Sequence, residues 1–590
     1  MARRGEVDEA RAAEFRRAGW WGDASLYDYW SLSLAAHPDK TAVVDAHGVA
    51  YTYSQVQARA ARVAAWLRAQ GVTPGDVVSV QVPNWSDHLV ITVACLRVGA
   101  VLNPVLTNHR LAELTQSTRL CATTVLVMPT RFKNTDYRPF VGQVLGAVQD
   151  LRAVLLVEHP ADAGAGASDA GAGASDDDPR VTTLARVLAA TEPLPEGDAT
   201  PTRGTDVAAI LFTSGSEAAP KGVLLSHDNL LCIERSYAYE LGIGFPDRIF
   251  MPAPLAHATG FMHGVTLTYV VGATLVLLDV VTGEAAVAMI NAHDATCGQA
   301  APSVVQRIFD ACDAPEDLTG ALRFFCCGGS PVPRQLVAQG ARFGVRLYSV
   351  YGSTESAPHT LTTASDSDER VVCSDGRAVV GMEVRIVDPE TRATLPPGVE
   401  GEEASRGPAV FLGYLDRPDL TAAVLDADGW YYSGDLAVMD ADGYIRITGR
   451  RKNVIIRGGE NISATEVEDI VRDMPGVADV AVVAMPNDAV GECACAYLVM
   501  REGARPLTVA DMRAFFIARG VAKYKIPEWV EYLDELPRSP AGKVRKGELR
   551  AQIAALVEVD KERAAWGLPP QPRRATLLAD PAPPGLPGTH

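Results

Sequence analysis

Hydrophobic positions along the chain follow two spacings in alternation. Residues 54–70 place apolar side chains at helical spacing, as an amphipathic helix does. Residues 207–212, 274–278 and 345–350 are short, mainly apolar runs of the kind that form buried strands. This alternation of strands and helices predicts an α/β fold built in layers.

The pattern changes after residue 450 to that of a smaller α+β unit. Ser463 and Glu466 have the spacing of a capping box, which predicts a helix running to about residue 474. Residues 477–484 then have the composition of a strand. A second, smaller domain is therefore expected at the C-terminal end.

Two segments have the composition of unfolded chain. Residues 162–168 (DAGAGAS) repeat as residues 169–175 and end in three aspartates. The repeat has no apolar face to bury, so we expect a flexible Gly/Ala/Asp insertion over residues 161–179. The proline-rich residues 561–590 predict a disordered tail.

Length and charge narrow the classes of function. The chain has 590 residues, 47% of them hydrophobic, which is enough for two or three domains with cores of their own. Its formal net charge of -18 argues against a general nucleic-acid surface. Any anionic ligand must therefore be held by local basic residues and dipoles, against the overall field.

The cysteines and the N-terminal residues bear on the compartment. Ten cysteines are scattered without C-x-x-C pairs, so we interpret them as mostly buried thiols in a reducing environment. The N-terminal residues lack the apolar core of a signal peptide. No uninterrupted apolar run reaches the roughly 18 residues of a membrane helix. The prediction is a cytoplasmic protein without a membrane span.

Residues 211–222 (LFTSGSEAAPKG) join the end of a predicted strand to a loop of small and hydroxyl residues with one lysine. Backbone N–H groups in such a loop can approach an oligophosphate, while the lysine supplies a positive point charge. The loop lacks the G-x-x-x-x-G-K-[ST] pattern of the common P-loop. By itself it could equally be a solvated turn between two strands.

Four further motifs follow in a fixed order: residues 351–355 (YGSTE), 432–436 (YSGDL), 449–452 (GRRK) with 458–461 (GGEN), and 537–543 (PRSPAGK). The set resembles the adenylate-forming superfamily, which includes acyl-CoA synthetases, adenylation domains of peptide synthetases and firefly luciferase. The resemblance covers about residues 25–555.

This resemblance implies an α/β fold with a large N-terminal domain of stacked β-sheets and helices, plus a small, mobile α+β C-terminal lid domain. We therefore expect an N-terminal extension at residues 1–24 and an adenylate-forming domain at residues 25–450. The lid domain should occupy residues 451–560, ahead of the tail.

The resemblance also implies that MgATP is bound by residues of several motifs. Tyr351 would pack on adenine, Asp435 would accept the ribose hydroxyls, and Glu355 would bind Mg²⁺. The sequence departs from the family at Glu217 and Ala218, where threonine and glycine are usual. The expected nucleotide-binding residues are Thr213, Ser214, Gly215, Ser216, Lys221, Gly329, Ser330, Pro331, Tyr351, Gly352, Ser353, Thr354, Asp435 and Arg450.

Two lysines and a glycine turn carry the roles expected of the lid. Lys543 matches the catalytic lysine that bridges the substrate carboxylate and the α-phosphate. Lys452 matches the hinge position, where one backbone rotation swings the lid, although a solvated lysine at a strand end would look the same. In the second half-reaction Arg457, Gly458 and Gly459 would line the coenzyme A tunnel.

Other signals for coenzyme A are weaker. Lys523 and Lys525 would lie near its phosphates or form a plain solvated pair. Some family ligases have a basic residue after the strand at residues 274–278, where this chain has Asp279.

The acyl pocket is expected around residues 254–260 (PLAHATG). His257 matches the residue that closes the carboxylate end, although a buried structural histidine is the alternative. Ala258 stands where aryl-acid enzymes tend to place asparagine. This segment is similar to that of bacterial cyclohexanecarboxylate and short- or medium-chain acyl-CoA synthetases. The expected pocket residues are His257, Ala258, Thr259, Gly260 and Gly328.

The sequence thus predicts an acid–thiol ligase that uses ATP, Mg²⁺ and coenzyme A and passes through an acyl-adenylate. A hydrophobic, small-molecule carboxylic acid is the expected partner. Two alternatives remain, namely transfer of the acyl group to an acyl carrier protein and a degenerate nucleotide-binding paralogue.

Overall fold

A computed structural model describes residues 9–158, 178–213, 220–329, 332–450, 454–537 and 544–565. Within these ranges the side chains of residues 449, 450, 454, 465, 562, 564 and 565 are not described. With residues 214–220 set aside, the chain divides between residues 451 and 452 into a larger N-terminal and a smaller C-terminal unit. Most of the predicted insertion and tail lie outside the described residues.

The helices of the N-terminal unit are α1 (Glu9–Arg17), α2 (Leu26–Ala36), α3 (Tyr53–Ala69), α4 (Ser86–Arg97), α5 (Leu111–Leu120), α6 (Arg138–Ala147), α7 (Leu184–Ala190), α8 (His227–Leu241), α9 (Ala258–Gly260), α10 (Leu267–Val271), α11 (Gly283–Ala292), α12 (Pro302–Asp310), α13 (Arg334–Arg342), α14 (Asp368–Cys373) and α15 (Pro418–Val424). A π-helical segment (Phe261–Thr266) and a 3₁₀ turn (Pro315–Asp317) complete the set.

The strands of this unit are β1 (Thr41–Asp45), β2 (Ala50–Thr52), β3 (Val77–Val80), β4 (Val101–Pro104), β5 (Thr123–Pro129), β6 (Arg131–Phe132), β7 (Thr135–Asp136), β8 (Ala153–Val157), β9 (Val181–Thr183), β10 (Val207–Thr213), β11 (Lys221–Ser226), β12 (Arg248–Met251), β13 (Thr274–Leu277), β14 (Cys297–Ala300), β15 (Phe324–Cys327), β16 (Arg346–Ser353), β17 (Ala357–Leu361), β18 (Arg377–Ala378), β19 (Glu383–Val387), β20 (Gly401–Arg406), β21 (Gly413–Tyr414), β22 (Tyr431–Met439) and β23 (Ile445–Arg450).

Two large sheets form the body of the N-terminal unit. One has nine strands in the order β18-β17-β16-β15-β14-β12-β13-β1-β2, and the other has eight in the order β21-β11-β10-β4-β3-β5-β8-β9. A four-stranded sheet follows the order β19-β20-β22-β23. This confirms the predicted large domain of β-sheets with helices.

The predicted helix at residues 54–70 is confirmed as α3, which is shifted by one residue at each end. Thr52 caps it, because its hydroxyl accepts from the Gln55 N–H and the Gln55 side chain accepts from the Thr52 N–H. One face of α3, including Val56, Val63 and Leu67, is buried in the main core. The helical spacing of apolar residues in the sequence therefore reflects the burial of one face of α3.

The parallel strands of the nine-stranded sheet determine where a site can form. β12, β14, β15 and β16 run parallel to one another, so their carboxyl ends meet at one edge. The predicted acyl segment follows β12, Gly328 follows β15, and Glu355 follows β16. Ligands of open α/β sheets bind outside the carboxyl ends of the strands.

The C-terminal unit is the predicted smaller α+β domain. Its helices are α16 (Ala464–Arg472), α17 (Val509–Ala518) and α18 (Lys546–Ala565), with a 3₁₀ turn at Lys523–Lys525. Its strands are β24 (Val454–Arg457), β25 (Glu460–Ser463), β26 (Val477–Asn487), β27 (Gly491–Met500) and β28 (Trp529–Tyr532). Ser463 caps α16 by accepting from the Glu466 N–H at 3.2 Å, which is one half of the predicted capping box.

Nine of the ten cysteines are buried thiols and Cys373 is exposed, in agreement with the sequence prediction. Within the described ranges, no helix has both the length and the apolar character that are needed to cross a membrane.

Candidate active site

The phosphate-loop motif begins and ends on an antiparallel hairpin. β10 pairs with β11 so that Thr213 lies opposite Lys221, at the two ends of the loop. Gly222 permits close packing, because a Cβ there would lie 3.0 Å from Ile210 Cγ2 and 3.1 Å from Leu415 Cβ. Ser214, Gly215 and Ser216, together with Glu217 and Ala218, lie outside the described residues.

Lys221 lies beside an aromatic ring that the motifs did not include. β21 pairs with β11, with Tyr414 opposite Val223. Lys221 Nζ is 4.9 Å from the centroid of the Tyr414 ring, within the range of a cation–π contact. The pairing of β21 with β11 thus brings the Tyr414 ring to the side of the hairpin where the Lys221 ammonium lies.

Glu355, in the turn after β16, contacts the same tyrosine. The Tyr414 hydroxyl donates to Glu355 Oε1 at 2.8 Å, and the Phe411 N–H donates to the Glu355 carbonyl at 2.7 Å. The Glu355 residue is 8% exposed. One tyrosine therefore contacts a cation at its ring and a carboxylate at its hydroxyl.

The donor set can be compared with the needs of Mg²⁺. This ion is usually held by one or two carboxylates, with phosphates and water completing its octahedron. Among the described residues, no three His, Cys, Asp or Glu side chains come together as a metal-binding group. A single oriented carboxylate such as Glu355 fits an ion that arrives with the nucleotide.

Tyr351 joins the two halves of the predicted nucleotide site. Its hydroxyl donates to Asp435 Oδ2 at 2.9 Å and lies 3.3 Å from Glu403 Oε2. Burial, reinforced by the negative charges of Glu403 and Asp435, raises the pKa of Tyr351 well above its usual value. The hydroxyl therefore stays protonated and acts as a donor.

The residues around Tyr351 are tightly packed. A Cβ on Gly352 would lie 2.1 Å from the Ala357 carbonyl oxygen, so only glycine fits there. The Ser353 hydroxyl accepts from the Ser356 N–H at 3.2 Å, which closes the turn that contains Thr354. The motif sequence thus meets a steric demand at Gly352 and forms a turn beyond the strand end.

Asp435 lies opposite Arg450 in the antiparallel pair β22 and β23. Asp435 is 6% exposed. From the sequence, both residues are expected to bind the nucleotide. The register of β22 with β23 makes them direct cross-strand neighbours. The Arg450 side chain lies outside the described atoms.

Gly328 and Gly329 follow the end of β15, at the same edge as Tyr351. A Cβ on Gly328 would lie 3.0 Å from Val350 Cγ1 and 3.1 Å from the Val350 carbonyl oxygen. Gly329 has a φ of 82°, in the region that favours glycine. Ser330 and Pro331 lie outside the described residues.

The predicted acyl segment forms a capped turn. His257 Nδ1 accepts from the Thr259 N–H at 3.3 Å at the start of α9. Burial lowers the pKa of His257, which favours the neutral ring that this bond requires. Gly260 is sterically required, since a Cβ there would lie 2.2 Å from the Pro254 carbonyl oxygen. Ala258 is partly buried against the main core.

A polar cluster beyond this segment was missed by sequence reasoning. The π-helix contains His263, whose Nδ1 lies 3.2 Å from Glu234 Oε2, and both side chains are buried. Tyr237 stacks on His263 with ring centroids 4.2 Å apart and contacts Gln299 through its hydroxyl. Among the described residues, Glu234 Oε1 has no hydrogen-bond partner. A glutamate among the apolar residues of α8 was the available signal.

The predicted coenzyme A segment is a two-residue hairpin in the C-terminal unit. Gly458 and Gly459 connect β24 to β25 with φ values of 56° and 90°. Both central residues of such a turn need a positive φ, which explains the pair of glycines. The Arg457 guanidinium pairs with Glu528.

The expectation of a solvated lysine pair is wrong for Lys525. This side chain is 7% exposed and its Nζ lies 2.7 Å from Glu466 Oε1. At the position where some ligases have a basic residue, Asp279 Oδ2 lies 2.9 Å from His47 Nε2 and accepts from Trp85 Nε1 at 2.9 Å. Lys452 and Lys543 lie outside the described residues.

Comparison with known proteins bears on the whole chain. Residues 31–415 match the model of the AMP-binding enzyme family, and residues 466–543 match that of the AMP-binding enzyme C-terminal domain. The chain belongs to the AMP-binding enzyme family. The resemblance to adenylate-forming enzymes is thereby confirmed.

One relative is the medium-chain fatty-acid–CoA ligase of Escherichia coli K12. It is 44% identical over 547 residues, which cover 92% of this chain and 93% of the relative. This similarity supports an AMP-forming acyl-CoA synthetase, as the motifs predicted.

Solved structures of the family share the fold. An amide bond synthetase from Marinactinospora thermotolerans matches with a TM-score of 0.74 and 26% identity, over 90% of this chain and 99% of that one. An o-succinylbenzoate CoA synthetase from Bacillus subtilis matches with a TM-score of 0.76 and 22% identity, over the same shares. The shared fold thus occurs in an amide bond synthetase as well as in a CoA synthetase.

Proposed function

We propose that this protein is an ATP-dependent acyl-CoA ligase that activates a hydrophobic carboxylic acid as an acyl-adenylate. The acyl group then passes to coenzyme A, with release of AMP and pyrophosphate. Beyond family membership, one observation carries the proposal. Glu355 with Tyr414 and Lys221 form one polar group, and Tyr351 with Asp435 forms another, at the two ends of the same short motif.

In the first half-reaction the N-terminal unit holds MgATP. Lys221 and Thr213 flank the loop that would cover the β- and γ-phosphates, and Glu355 would bind Mg²⁺. The ring of Tyr351 would lie against adenine while Asp435 accepts the ribose hydroxyls. The pieces are pre-oriented by sheet register, so they can stabilise developing charge without reorganising.

The substrate carboxylate would lie between His257 and the α-phosphate. A carboxylate is a poor electrophile because its charge repels nucleophiles, and joining it to AMP supplies a stable leaving group. Lys543 would neutralise charge on both reactants as the new bond forms. Thr354, in the turn after β16, would contact the α-phosphate.

The second half-reaction would follow a rotation of the C-terminal unit about Lys452. Arg457, Gly458 and Gly459 would then line the path of the pantetheine arm. A two-glycine turn without side chains suits a surface against which a narrow thiol arm must slide.

A specific observation favours a second class of substrate. The acyl segment leads into the buried Glu234–His263 pair, and Glu234 Oε1 has no hydrogen-bond partner in the part of the chain that the structure describes. An acid that is apolar along most of its length but has a hydroxyl at its far end would supply a donor for this oxygen.

A substrate panel tests the proposals together. Pyrophosphate release is measured over linear, cyclic and terminally hydroxylated acids of matched length, without acceptor, with coenzyme A, and with a phosphopantetheinyl carrier protein. Acid-dependent release and formation of acyl-CoA support the ligase. Transfer to the carrier alone supports the carrier-loading alternative. Absence of release with every acid supports the degenerate paralogue, which the departures at Glu217 and Ala218 favour.

A further inference from the structure

A buried network lies behind the ring of Tyr351. His359 Nε2 is 3.1 Å from Glu403 Oε1, and both side chains are fully buried. The His359 ring meets the edge of the Tyr351 ring at 77° with centroids 5.2 Å apart. The other nitrogen of His359 lies 2.9 Å from the Ser356 hydroxyl. His359 thus contacts the Tyr351 ring and also pairs with Glu403, whose other carboxylate oxygen lies 3.3 Å from the Tyr351 hydroxyl.

A bulge lies in β22, the strand that contains Asp435, directly opposite Glu403. Glu402 pairs with Leu436 and Ala404 pairs with Tyr432, so Glu403 alone faces residues 433–435 of β22. Glu403 itself pairs in regular register with Ile386 on β19. Bulges are frequent beside active sites, where they re-aim side chains of the bulged strand. Glu403 and Asp435 therefore meet the Tyr351 hydroxyl at an irregular point of the sheet.

The tyrosine hydroxyl is shared between two carboxylates. It lies 2.9 Å from Asp435 Oδ2 and 3.3 Å from Glu403 Oε2. The phenolic group has one proton to donate, and the shorter distance assigns it to Asp435. Glu403 is close enough to accept the hydrogen bond from this hydroxyl after a small rotation of its O–H group.

We propose that Glu403, held by His359, is a positioning residue that takes over the Tyr351 hydroxyl when the ribose of ATP binds to Asp435. The proposal rests on the role of Asp435 given under the proposed function. Ribose hydroxyls need acceptor positions on Asp435, and the Tyr351 hydroxyl occupies one of them. When the Tyr351 hydroxyl donates to Glu403 instead, both oxygens of Asp435 can accept from the ribose hydroxyls. The tyrosine ring meanwhile stays in place for adenine.

The test requires a variant that removes the second acceptor without leaving a buried charge. Truncating one member of a buried charged pair is strongly destabilising, whereas replacing both members by apolar residues of similar size is often tolerated. The variant is therefore His359→Leu/Glu403→Met. Ser405→Ala is the control, because Ser405 is buried on the same strand and its hydroxyl has no hydrogen-bond partner among the described residues.

The readout is the preference for ATP over 2′-deoxy-ATP, taken as the ratio of their kcat/KM values for pyrophosphate release. In the double variant the tyrosine hydroxyl keeps its bond to Asp435, so this ratio should fall about tenfold, the scale of one hydrogen bond to a charged group. The Ser405→Ala enzyme should keep the wild-type ratio. In a Tyr351→Phe background the double replacement should leave the ratio unchanged, because Glu403 is proposed to affect ribose binding only through the Tyr351 hydroxyl.

Two results would overturn the proposal and have different meanings. If the double variant loses activity equally with both nucleotides, the pair is structural and Glu403 does not act through ribose binding. If the wild type shows no preference for ATP over 2′-deoxy-ATP, the role of Asp435 fails and the proposal fails with it. Melting temperatures of all variants distinguish either result from unfolding.

Discussion

Tyr414 donates its hydroxyl to Glu355 Oε1 over 2.8 Å, which fixes the carboxylate at the end of β16. The two residues are 59 positions apart in sequence, with Tyr414 in β21 of the eight-stranded sheet and Glu355 in the turn after β16 of the nine-stranded sheet. The same tyrosine ring lies 4.9 Å from Lys221 Nζ. A change at Tyr414 should therefore weaken the binding of MgATP while leaving both charged side chains, Lys221 and Glu355, in the protein.

Tyr414→Phe keeps the ring beside Lys221 and removes only the donor to Glu355. We expect the KM for MgATP to rise and kcat/KM for adenylation to fall by about tenfold, as for one lost hydrogen bond to a charged group. The measurement is pyrophosphate release at varied Mg²⁺ and ATP.

Tyr53→Phe is the matched control for this change, because its buried hydroxyl donates to the Ala273 carbonyl at 2.7 Å, away from the motifs. It should lower the melting temperature and leave the KM for MgATP unchanged. Equal effects of the two substitutions on that KM would contradict a specific role for Tyr414.

Such partners could not be predicted from the motifs. Periodicity identified α3 and β10 to within one residue, because burial leaves a local trace in the sequence. Tyr414 reaches Glu355 only through the pairing of β21 with β11, and Glu403 comes to lie beside Asp435 only through the pairing of β20 with β22. Contacts of this kind depend on register between strands that are distant in sequence, which a single sequence does not encode locally.

The motif residues are easier to recognise in the sequence than the residues of the acyl interior. Lys221 begins β11, and Tyr351 lies near the end of β16 with Glu355 just beyond it. Asp435 lies within β22. Glu234 and His263 belong to helices with mainly apolar neighbours, and the spacing that predicts a helix is indifferent to one buried polar pair. Specificity therefore remained the least predictable property.

Acid should destabilise the N-terminal unit through His88. Burial lowers the pKa of this histidine from 6.5 to about 4, and neither ring nitrogen has a hydrogen-bond partner within the described ranges. Between pH 6.5 and 4 the unfolded chain takes up a proton that the folded chain does not. The free energy of unfolding therefore decreases as the pH falls through this range.

His88→Leu removes this proton uptake. At pH 5 the wild type should lose about 2 kcal/mol more than the variant, relative to pH 7.5, since a tenfold difference in proton affinity between the two states corresponds to about 1.4 kcal/mol. Thermal unfolding at the two pH values makes the comparison, and the pH 7.5 data isolate any change in packing. Identical pH dependence of the two proteins would refute this assignment.

Lys543 is expected to act in the first half-reaction alone. Lys543→Ala should lower adenylate formation by about 10²–10³, the usual loss for one preorganised charge. Thioester formation from supplied acyl-AMP should survive far better, because the lid would by then have rotated the lysine away. Quenched single-turnover assays of each half-reaction give the rate of adenylate formation and the rate of thioester formation.

Lys561→Ala controls for loss of a lysine near the C-terminal end, since Lys561 pairs only with Asp488 and Glu558 in the contacts described. It should leave both half-reactions within about twofold of wild type, as expected for a surface substitution. An equal loss in both half-reactions for Lys543→Ala would refute the two-conformation hypothesis.

Ala258 should limit the use of hydroxylated aryl acids. A methyl side chain offers no partner to a hydroxyl beside the carboxylate, and burying an unpaired hydroxyl costs on the order of 1–3 kcal/mol. Dihydroxybenzoate should therefore be about ten- to a hundredfold poorer in kcat/KM than an aliphatic acid of similar volume. A hydroxyl at the far end of the acid is a separate case, because Glu234 is the acceptor proposed for it.

Ala258→Asn should narrow this gap by giving the ring hydroxyl a partner, with some loss for apolar acids. Ala258→Leu is the matched control, since leucine has a similar size and no amide. It should slow both acids without narrowing the gap, whereas an equal narrowing by leucine would attribute the effect to shape. If the wild-type enzyme instead prefers dihydroxybenzoate, the aliphatic assignment is wrong, and loading of a carrier protein becomes the better account of the acyl pocket.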